Sequence, residues 1–481
     1  MLFRSYTDSN LAQNAYLIGC QKTKEALIID PLRDIDQYIA QAEAEGLRIV
    51  AVAETHIHAD FLSGAREFAE QTGAHLYLSA EGEDDGWGSA WAKGSDYDVT
   101  FLRDGDQFSV GNIDLKAVHT PGHTPEHLSY VVTDRGSGAT TPIGVVTGDF
   151  VFVGDLGRPD LLEQAAGMHG VQEDAARTLF HSLPRFTQLE EHLQVWPGHG
   201  AGSACGKALG AVPMTTVGYE KRYNASLGAA EGGEDAFVSA ILDGQPEPQM
   251  YFARMKQQNR DGVPLLGQVP NPSRLPSDEL SAFSKDEDGV VIDTRTDRSA
   301  FMASHVPRSL HAPLGKNLPA FVGSLLTDET TPIVLVVEKD QVDGAVRDLV
   351  RIGYDAIVGF VTPADLADYF ADGGVSASIP ERTFDDLDQL QAETGGSVLD
   401  VRYASEHQGG HVPGAVNASY TRLPDYMDSS VPDHGPLIVH CQSGVRAAAA
   451  SAYLARQGRD VIYINDGFPS FAATGRAITQ D

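Results

Sequence analysis

The segment His56-Ile57-His58-Ala59-Asp60-Phe61 follows directly on an apolar run, IVAVAET, and constrains the chain more than any other feature. Three later segments close in the same way. His123 lies in HTPGHTP, Asp149 in TGDF behind IGVV, and His199 in WPGHG behind QV. Imidazole and carboxylate are natural ligands of zinc and iron. A lone histidine such as His75 or His192 needs only one hydrogen bond to be satisfied and signals little. Four separated strand ends that all finish on His or Asp share no structural cause, so they are expected to meet at one metal centre.

Around these segments strand and helix signals alternate. AYLIGC, KEALIID and AHLYLSA read as strands, and IDQYIAQAEAEG and SGAREFAEQTG as helices, the former stopping at Gly46. QFSVGNIDLKAVHTPGHTPEHLSYVV reads as β structure broken by Pro-Gly turns, and VQEDAARTLFHSL as a helix. The first half is thus a mixed α/β unit whose polar residues collect just past strand ends, where such folds place their chemistry. NRDGVPLLGQVPNPSRLP (259–276) reads as a linker. An internal repeat follows. VVIDTRTDRSAFMASHVPRSLHAP (290–313) resembles SVLDVRYASEHQGGHVPGAVNAS (397–419), and PIVLVVEKDQ (332–341) parallels PLIVHCQSGVR (436–446). At roughly 100–200 residues per domain, three domains are expected, over 1–258, 270–378 and 380–481 of the 481 residues.

Composition narrows the partners and the compartment. Acids outnumber bases 67 to 35, a formal charge of −32, which repels phosphate backbones and anionic membranes, so neither is expected as a partner. No apolar run reaches the roughly 18 residues of a membrane span. The start, MLFRSYTDSNLAQ, has no secretory apolar region. Three cysteines, Cys20, Cys205 and Cys441, make no disulfide framework in so long a chain. A reducing cytoplasm is the expected compartment. The oligomeric state stays open, and a homo-oligomer is compatible with the sequence.

The second chemical feature is Cys441-Gln442-Ser443-Gly444-Val445-Arg446, between the strand PLIVH and the helical run AAAASAYLARQG. Successive N–H groups of such a loop converge on the cysteine sulfur, and the helix N-terminus adds positive potential. Arg446 closes the loop with a fixed charge, and Gly444 lets the backbone approach an anion. A thiolate so held can take up a sulfane sulfur as a persulfide. In the first repeat the cysteine position falls on Val336 or Val337, depending on register, and the acidic run EKDQVD replaces the cradle.

THIHADF, PGHTP, TGDF and WPGHG resemble the ordered motifs of the metallo-β-lactamase fold over residues 1 to about 250. That resemblance implies an αββα sandwich, within an α/β chain, with the metal at one edge of the two sheets. Members similar to glyoxalase II hold two metals and cleave thioesters. Their first motif ends in a histidine where this chain has Phe61, which has no lone pair, so one metal is favoured. The members with one iron are the persulfide dioxygenases. Carried over by motif, their ligands fall on His56, His123 and Asp149, a two-His, one-carboxylate face suited to a single non-haem Fe(II) with positions open for substrate and O2. His58, Asp60 and His199 are then expected around the ligands, orienting them or water; in two-metal relatives the counterpart of His58 is itself a ligand. His119 and His127, which flank His123, and Cys20, on an early strand, are expected to be structural.

GDLGRPDL (154–161) resembles a motif beside that iron, which assigns Arg158 to an anionic substrate group and Asp160 to holding Arg158. Cys205, in GHGAGSACG, matches a Gly-Ser-x-Cys-Gly string of fused members; with glycine-rich backbone around it, its thiol is expected to be acidified and to carry sulfur near the iron. The Cys441 loop, Asp400-Val401-Arg402 and His411-Val412-Pro413 resemble rhodaneses, with Arg402 bracing the loop from behind. Residues 270–378 then resemble a degenerate, non-catalytic rhodanese domain. Together these imply a bacterial type of fusion for sulfide detoxification. A low-molecular-weight persulfide is oxidised by O2 to sulfite, and Cys441 turns sulfite into thiosulfate. The rivals are a two-metal thioesterase fused to a rhodanese and a non-enzymatic sulfur carrier.

Overall fold

Gln13–Cys20 is buried along its whole length because it lies inside a sheet that is itself covered on both faces. In this computed structural model, which describes residues 1–83, 86–164, 170–207 and 209–480, the chain forms two compact units. One comprises Met1–Pro248 with Phe252–Gln268, the other Gln249–Tyr251 with Val269–Asp481. Asp481, the last residue of the third expected domain, lies outside the described residues.

The first unit has two six-stranded sheets. Leu2–Asp8, Gln13–Cys20, Glu25–Ile29, Arg48–Ala53, His75–Ser79 and Val99–Leu102 lie side by side in that order. The second sheet runs Thr215–Thr216, Gln194–Pro197, Gly144–Gly148, Leu128–Asp134, Ile113–His119, Gln107–Val110. Tyr16, Ile18, Leu27 and Ile29 of the first sheet meet Leu115, Tyr130, Val146 and Trp196 of the second in one apolar cluster, so the sheets face each other. The helix Gln172–Thr187 covers the outer face of the second sheet, packing Leu179, Leu183 and Phe186 against Val145 and Val195. Asp36–Ala44 and Ala65–Thr72 pack against the first sheet. The result is an αββα sandwich, as the motifs imply.

One edge of this sandwich collects the ligand-type residues. Gly144–Gly148 and Gln194–Pro197 pair in parallel, so Asp149 and His199 leave the second sheet at the same end. There the two sheets are stitched together: Leu128 N donates to Thr55 O at 2.7 Å and Asn14 N to Gly198 O at 2.8 Å. Gly148 makes the turn into Asp149 with φ +48°, and a Cβ there would lie 2.6 Å from Thr55 Oγ1 and 2.7 Å from His127 Nε2. Only glycine fits so close an approach with that backbone.

The expected linker is divided between structured parts. Its first residues end the helix Phe252–Asp261 of the first unit, and Ser273–Arg274 is an edge strand of the second. Asn259 is the reason: its Oδ1 accepts Ser63 N at 2.9 Å, and its Nδ2 donates to His58 O at 2.9 Å and Phe61 O at 2.7 Å.

The second unit repeats one topology. Ser273–Arg274, Ile357–Val361, Ile333–Val336, Val290–Asp293 and Leu310–His311 form a parallel sheet, and Glu381–Arg382, Val461–Gly467, Leu437–Cys441, Ser397–Asp400 and Val416–Asn417 form another in the same order. Asp293 pairs with Val336 as Asp400 pairs with His440. The register therefore places Val337, not Val336, where Cys441 stands. The helix Val445–Arg456 is buried from Ala447 to Leu454 and packs against both repeats, touching Leu310–His311 as well as its own sheet. Its alanine run keeps it slim enough to be enclosed on all sides. No helix among the described residues is long and apolar enough to cross a membrane.

Candidate functional site

His56, His123 and Asp149 converge, with one ligand atom from each within 4.8 Å of the others. His123 Nε2 lies 3.7 Å and His56 Nε2 3.9 Å from Asp149 Oδ2. These separations are too long for hydrogen bonds and suit three atoms facing a common point. The far ring nitrogens fix the orientation. His123 Nδ1 donates to Arg158 O at 2.9 Å. His56 Nδ1 lies 2.9 Å from Thr55 Oγ1, whose own proton goes to Asp30 Oδ2 at 2.8 Å. Both Nε2 atoms therefore present lone pairs. Burial pulls both imidazoles well below their ordinary range, so they stay neutral. Asp149 Oδ2 is buried with no hydrogen-bond partner among the described residues. A buried carboxylate oxygen facing two lone pairs is costly by itself; a cation resolves all three, and the residues fit a metal ion.

The neighbouring groups are bonded to one another instead. His199 Nδ1 meets Asp149 Oδ1 at 2.8 Å and its Nε2 meets Asp60 Oδ2 at 2.7 Å. Burial opposes a charge on this ring, but Asp149, Cys205 and Asp60 outweigh it and hold His199 well above the usual range. Burial likewise raises Asp60, and His199 more than reverses that. His58 Nε2 lies 3.0 Å from Glu54 Oε2 and 3.3 Å from Asp30 Oδ1. Burial again opposes the charge, yet these carboxylates push His58 up to about 10. Phe61 is fully buried and its ring centroid lies 4.3 Å from that of His58. His127 Nε2 accepts Asp149 N at 3.1 Å, and His119 Nε2 donates to Pro125 O at 2.8 Å.

Two expectations change. Arg158 is completely buried; Nε and Nη2 grip Asp160 at 3.1 and 2.6 Å, and Nη1 donates to Ala204 O at 2.8 Å. The guanidinium thus braces the loop before Cys205 rather than offering itself to an anion. Cys205 lies within 4.8 Å of Asp60 and His199 ligand atoms, but burial pushes its thiol up to about 11, against the partial relief from His199. The acidifying environment read from the glycines is outweighed, and Cys205 N faces Ser203 Oγ at 3.0 Å. Cys20 Sγ accepts Asn112 N at 3.3 Å at the end of its strand.

Lys256 carries no motif and was missed by sequence reasoning. It sits one turn from Asn259 on the same helix face, is buried to 3% exposure, and its Nζ has no hydrogen-bond partner among the described residues. The ammonium lies 5.0 Å from the Trp87 ring centroid. Burial pulls it down to about 8, while Glu126, Cys205, Asp160 and Asp149 support its charge. The available signal was a lysine on a face otherwise built from Phe252 and Met255.

In the second unit, Cys441 ends its strand and its Sγ accepts Ala447 N at 3.3 Å, while Gly444 takes φ +84° before the helix begins at Val445. Arg446 does not point freely at the sulfur: its two Nη atoms clasp Glu406 at 2.6 and 2.8 Å. Burial opposes its charge and Glu406 more than restores it. Arg402 grips Asp400 through Nε and Nη2 and reaches Gly410 O at 2.8 Å, a brace behind the loop. The first repeat keeps that brace in Asp293 and Arg295, but Val337 is followed by a short 3-10 turn, Lys339–Gln341, and by carboxylates at Glu338, Asp340 and Asp343.

Residues 9–199 match the metallo-beta-lactamase superfamily and residues 383–474 the rhodanese-like domain. The structure of a metallo-beta-lactamase from Staphylococcus aureus subsp. aureus COL is similar at 40% identity and a TM-score of 0.66, over 75% of this chain and 99% of that one. A beta-lactamase hydrolase-like protein of Xylella fastidiosa (strain 9a5c) is 28% identical over 49% of this chain and 54% of its own length. The match thus spans about half of that relative. The mitochondrial persulfide dioxygenase ETHE1 of Bos taurus is 27% identical over 41% of this chain and 68% of its own. With the αββα sandwich, its edge cluster of His and Asp, and the repeated parallel sheets already in place, the chain belongs to the metallo-β-lactamase superfamily and carries a rhodanese-like domain C-terminal to that fold.

Proposed function

We propose that the chain is a persulfide dioxygenase that holds one ferrous ion on His56, His123 and Asp149 and passes its product to Cys441. The observation that carries this reading is the contrast between two neutral imidazoles with an unbonded carboxylate oxygen and a surrounding set, His58, Asp60 and His199, occupied with its own hydrogen bonds. Such a set offers one side of one metal. When bound, the ferrous ion supplies open positions for a persulfide sulfur and O2 and the electrons that activate O2. The net reaction takes one persulfide anion, one O2 and one water to one thiol and one hydrogensulfite.

The protein's own groups then have defined tasks. His199 turns Asp149 so that Oδ2 faces the two imidazoles. Thr55 and Arg158 O hold the imidazole rings in the donor orientation. Phe61 fills the place of a further ligand with apolar surface and keeps water from it. At the second site the Cys441 thiolate takes the terminal sulfur of another persulfide, whose S–S bond breaks to release the thiol. Sulfite sulfur attacks the outer sulfur of the Cys441 persulfide, that S–S bond breaks, and thiosulfate leaves with the thiolate restored. The relationship to ETHE1 supports the first step and the rhodanese match the second.

A two-metal thioesterase is the second reading, favoured by the ligand types Asp60, His199 and Cys205 beside the first trio. Metal content and aerobic product analysis of one purified sample separate the two. About one iron per chain, O2 uptake with a persulfide, and a shift from thiosulfate to sulfite in Cys441→Ser are expected. Two zinc ions with thioester cleavage and no O2 uptake would overturn the proposal.

A further inference from the structure

The repeat without a cysteine reaches into the Cys441 loop. Arg298, the first residue of the helix Arg298–Ala303, donates from Nη1 to Ser443 O at 3.0 Å. Its neighbour Ser299 takes part as well. Asn465 Nδ2 donates to Ser299 Oγ at 3.1 Å and to Glu381 Oε1 at 2.8 Å, and Asn465 Oδ1 lies 2.8 Å from Tyr463 Oη. Tyr463 Oη in turn lies 3.1 Å from Gly444 O. Ser443 O is therefore held from outside the loop by the other repeat, while Gly444 O shares the single Tyr463 proton with Asn465 Oδ1.

That contact acts on geometry and on charge. A trans peptide is planar, so fixing Ser443 O toward Arg298 turns the Gly444 N–H the opposite way. A loop that binds anions through its N–H groups needs such orientation held in advance. The charges are also unequal. Arg446 is matched by the bidentate Glu406, whereas among the described residues no carboxylate lies within ion-pair distance of Arg298. Arg298 is half-buried, and its Nη1 would lie 3.3 Å from a Cβ placed on Gly444. It is the unneutralised cation of this loop.

We propose that the repeat lacking a cysteine supplies Arg298 as a positioning residue behind the Cys441 loop, whose hold on Ser443 O aims the Gly444 N–H at the site and whose charge adds positive potential there, selecting dianionic sulfur oxyanions as acceptors over uncharged thiols. The proposal rests on the sulfur-transfer reading of Cys441 and gives the neighbouring repeat a task beyond spacing.

The test uses the full chain and Cys441 carboxymethylation by iodoacetate against alkylation by iodoacetamide, read at the Cys441 peptide by mass spectrometry. Arg298→Met should lower the iodoacetate-to-iodoacetamide rate ratio by about tenfold, and Arg298→Lys should keep most of it. In sulfur transfer from preloaded Cys441, Arg298→Met should raise the KM for sulfite by a similar factor, and by several-fold more than it changes transfer to dithiothreitol. An unchanged reagent ratio, or an equal loss with sulfite and dithiothreitol that Arg298→Lys does not restore, would overturn the assignment. If the wild-type chain transfers sulfur to neither acceptor, the sulfur-transfer reading fails on its own, and the reagent ratio still decides Arg298.

Discussion

His199 Nδ1 stands 2.8 Å from Asp149 Oδ1, while the other oxygen of that carboxylate faces His56 and His123 with no hydrogen bond of its own. One side chain is thus divided between an imidazolium and a metal position. The same imidazolium closes on Asp60 at 2.7 Å, so a single ring is shared by two buried carboxylates, and the trio keeps one net negative charge that favours a metal cation.

Replacing His199 by alanine therefore has two separable effects. Metal affinity should fall by about 10–100-fold, because Asp149 loses the group that aims it. The metal-free chain should also lose roughly 3–5 kcal/mol, because Asp60 and Asp149 are left buried without their cation. Metal titration and urea unfolding of the metal-free chain measure these independently. Unchanged affinity would show that Asp149 is aimed by something else.

Phe61→His tests why one metal is favoured. By sequence alone the missing ligand is the whole argument. In the structure His58 is bonded to Glu54 and Asp30, and His199 to Asp60 and Asp149, so the added imidazole meets neighbours whose nitrogens carry protons. The variant should hold about one metal per chain, the number proposed for the wild type, and should melt at a lower temperature because a buried apolar ring becomes polar. Two metals by elemental analysis would show that Phe61 alone excluded the second.

The second unit should weaken in mild acid. His440 is buried with neither ring nitrogen well hydrogen-bonded among the described residues, and burial pulls it down to about 4 despite Asp400; burial also pulls His311 down to about 4. A depressed histidine contributes stability that is intact above its unfolded value, near 6.5, and lost as pH falls toward 4, since only the unfolded chain takes up the proton. Each group accounts for roughly 3 kcal/mol across that window. Hydrogen exchange of the strand Leu437–Cys441 should accelerate from pH 6.5 to 4, after correction for intrinsic exchange. A flat profile would place the proton elsewhere.

What could be read from the sequence follows from where the information lies. His56, His123, Asp149 and His199 each follow closely on a strand, the last three with a Gly or Pro beside them, and Cys441 ends a strand just before a helix, so local pattern located them. Asn259 and Lys256 were invisible because each acts on residues far away in the chain, His58 and Phe61 for Asn259 and Trp87 for Lys256, with no local spacing to mark it. Cys205 and Arg158 misled for the opposite reason. Their strings were recognisable, but burial beside Asp60 and Asp149, and the Ala204 carbonyl, decide what these side chains do. The register that puts Val337 opposite Cys441 needed the pairing of Asp293 with Val336, which no single strand contains.

That register permits a direct trial of what the Cys441 loop contributes to the proposed sulfur transfer. Val337 is buried at the end of its strand, and the brace behind it, Asp293 with Arg295, is intact. A cysteine placed there by Val337→Cys, with Cys441→Ser to silence the other repeat, would have the strand and the brace but not the cradle. The residues that follow are Glu338, Lys339 and Asp340, where the second repeat has Gln442, Ser443 and Gly444. Carboxylates beside a thiol disfavour its ionised form, and without a glycine in the left-handed conformation the loop cannot turn its N–H groups inward. The double variant should gain no sulfur on incubation with a persulfide, by intact-mass spectrometry of the thiol-blocked protein. Sulfur loading of the introduced thiol at a rate near that of Cys441 would mean that strand and brace suffice, and that the loop contributes little to the reaction.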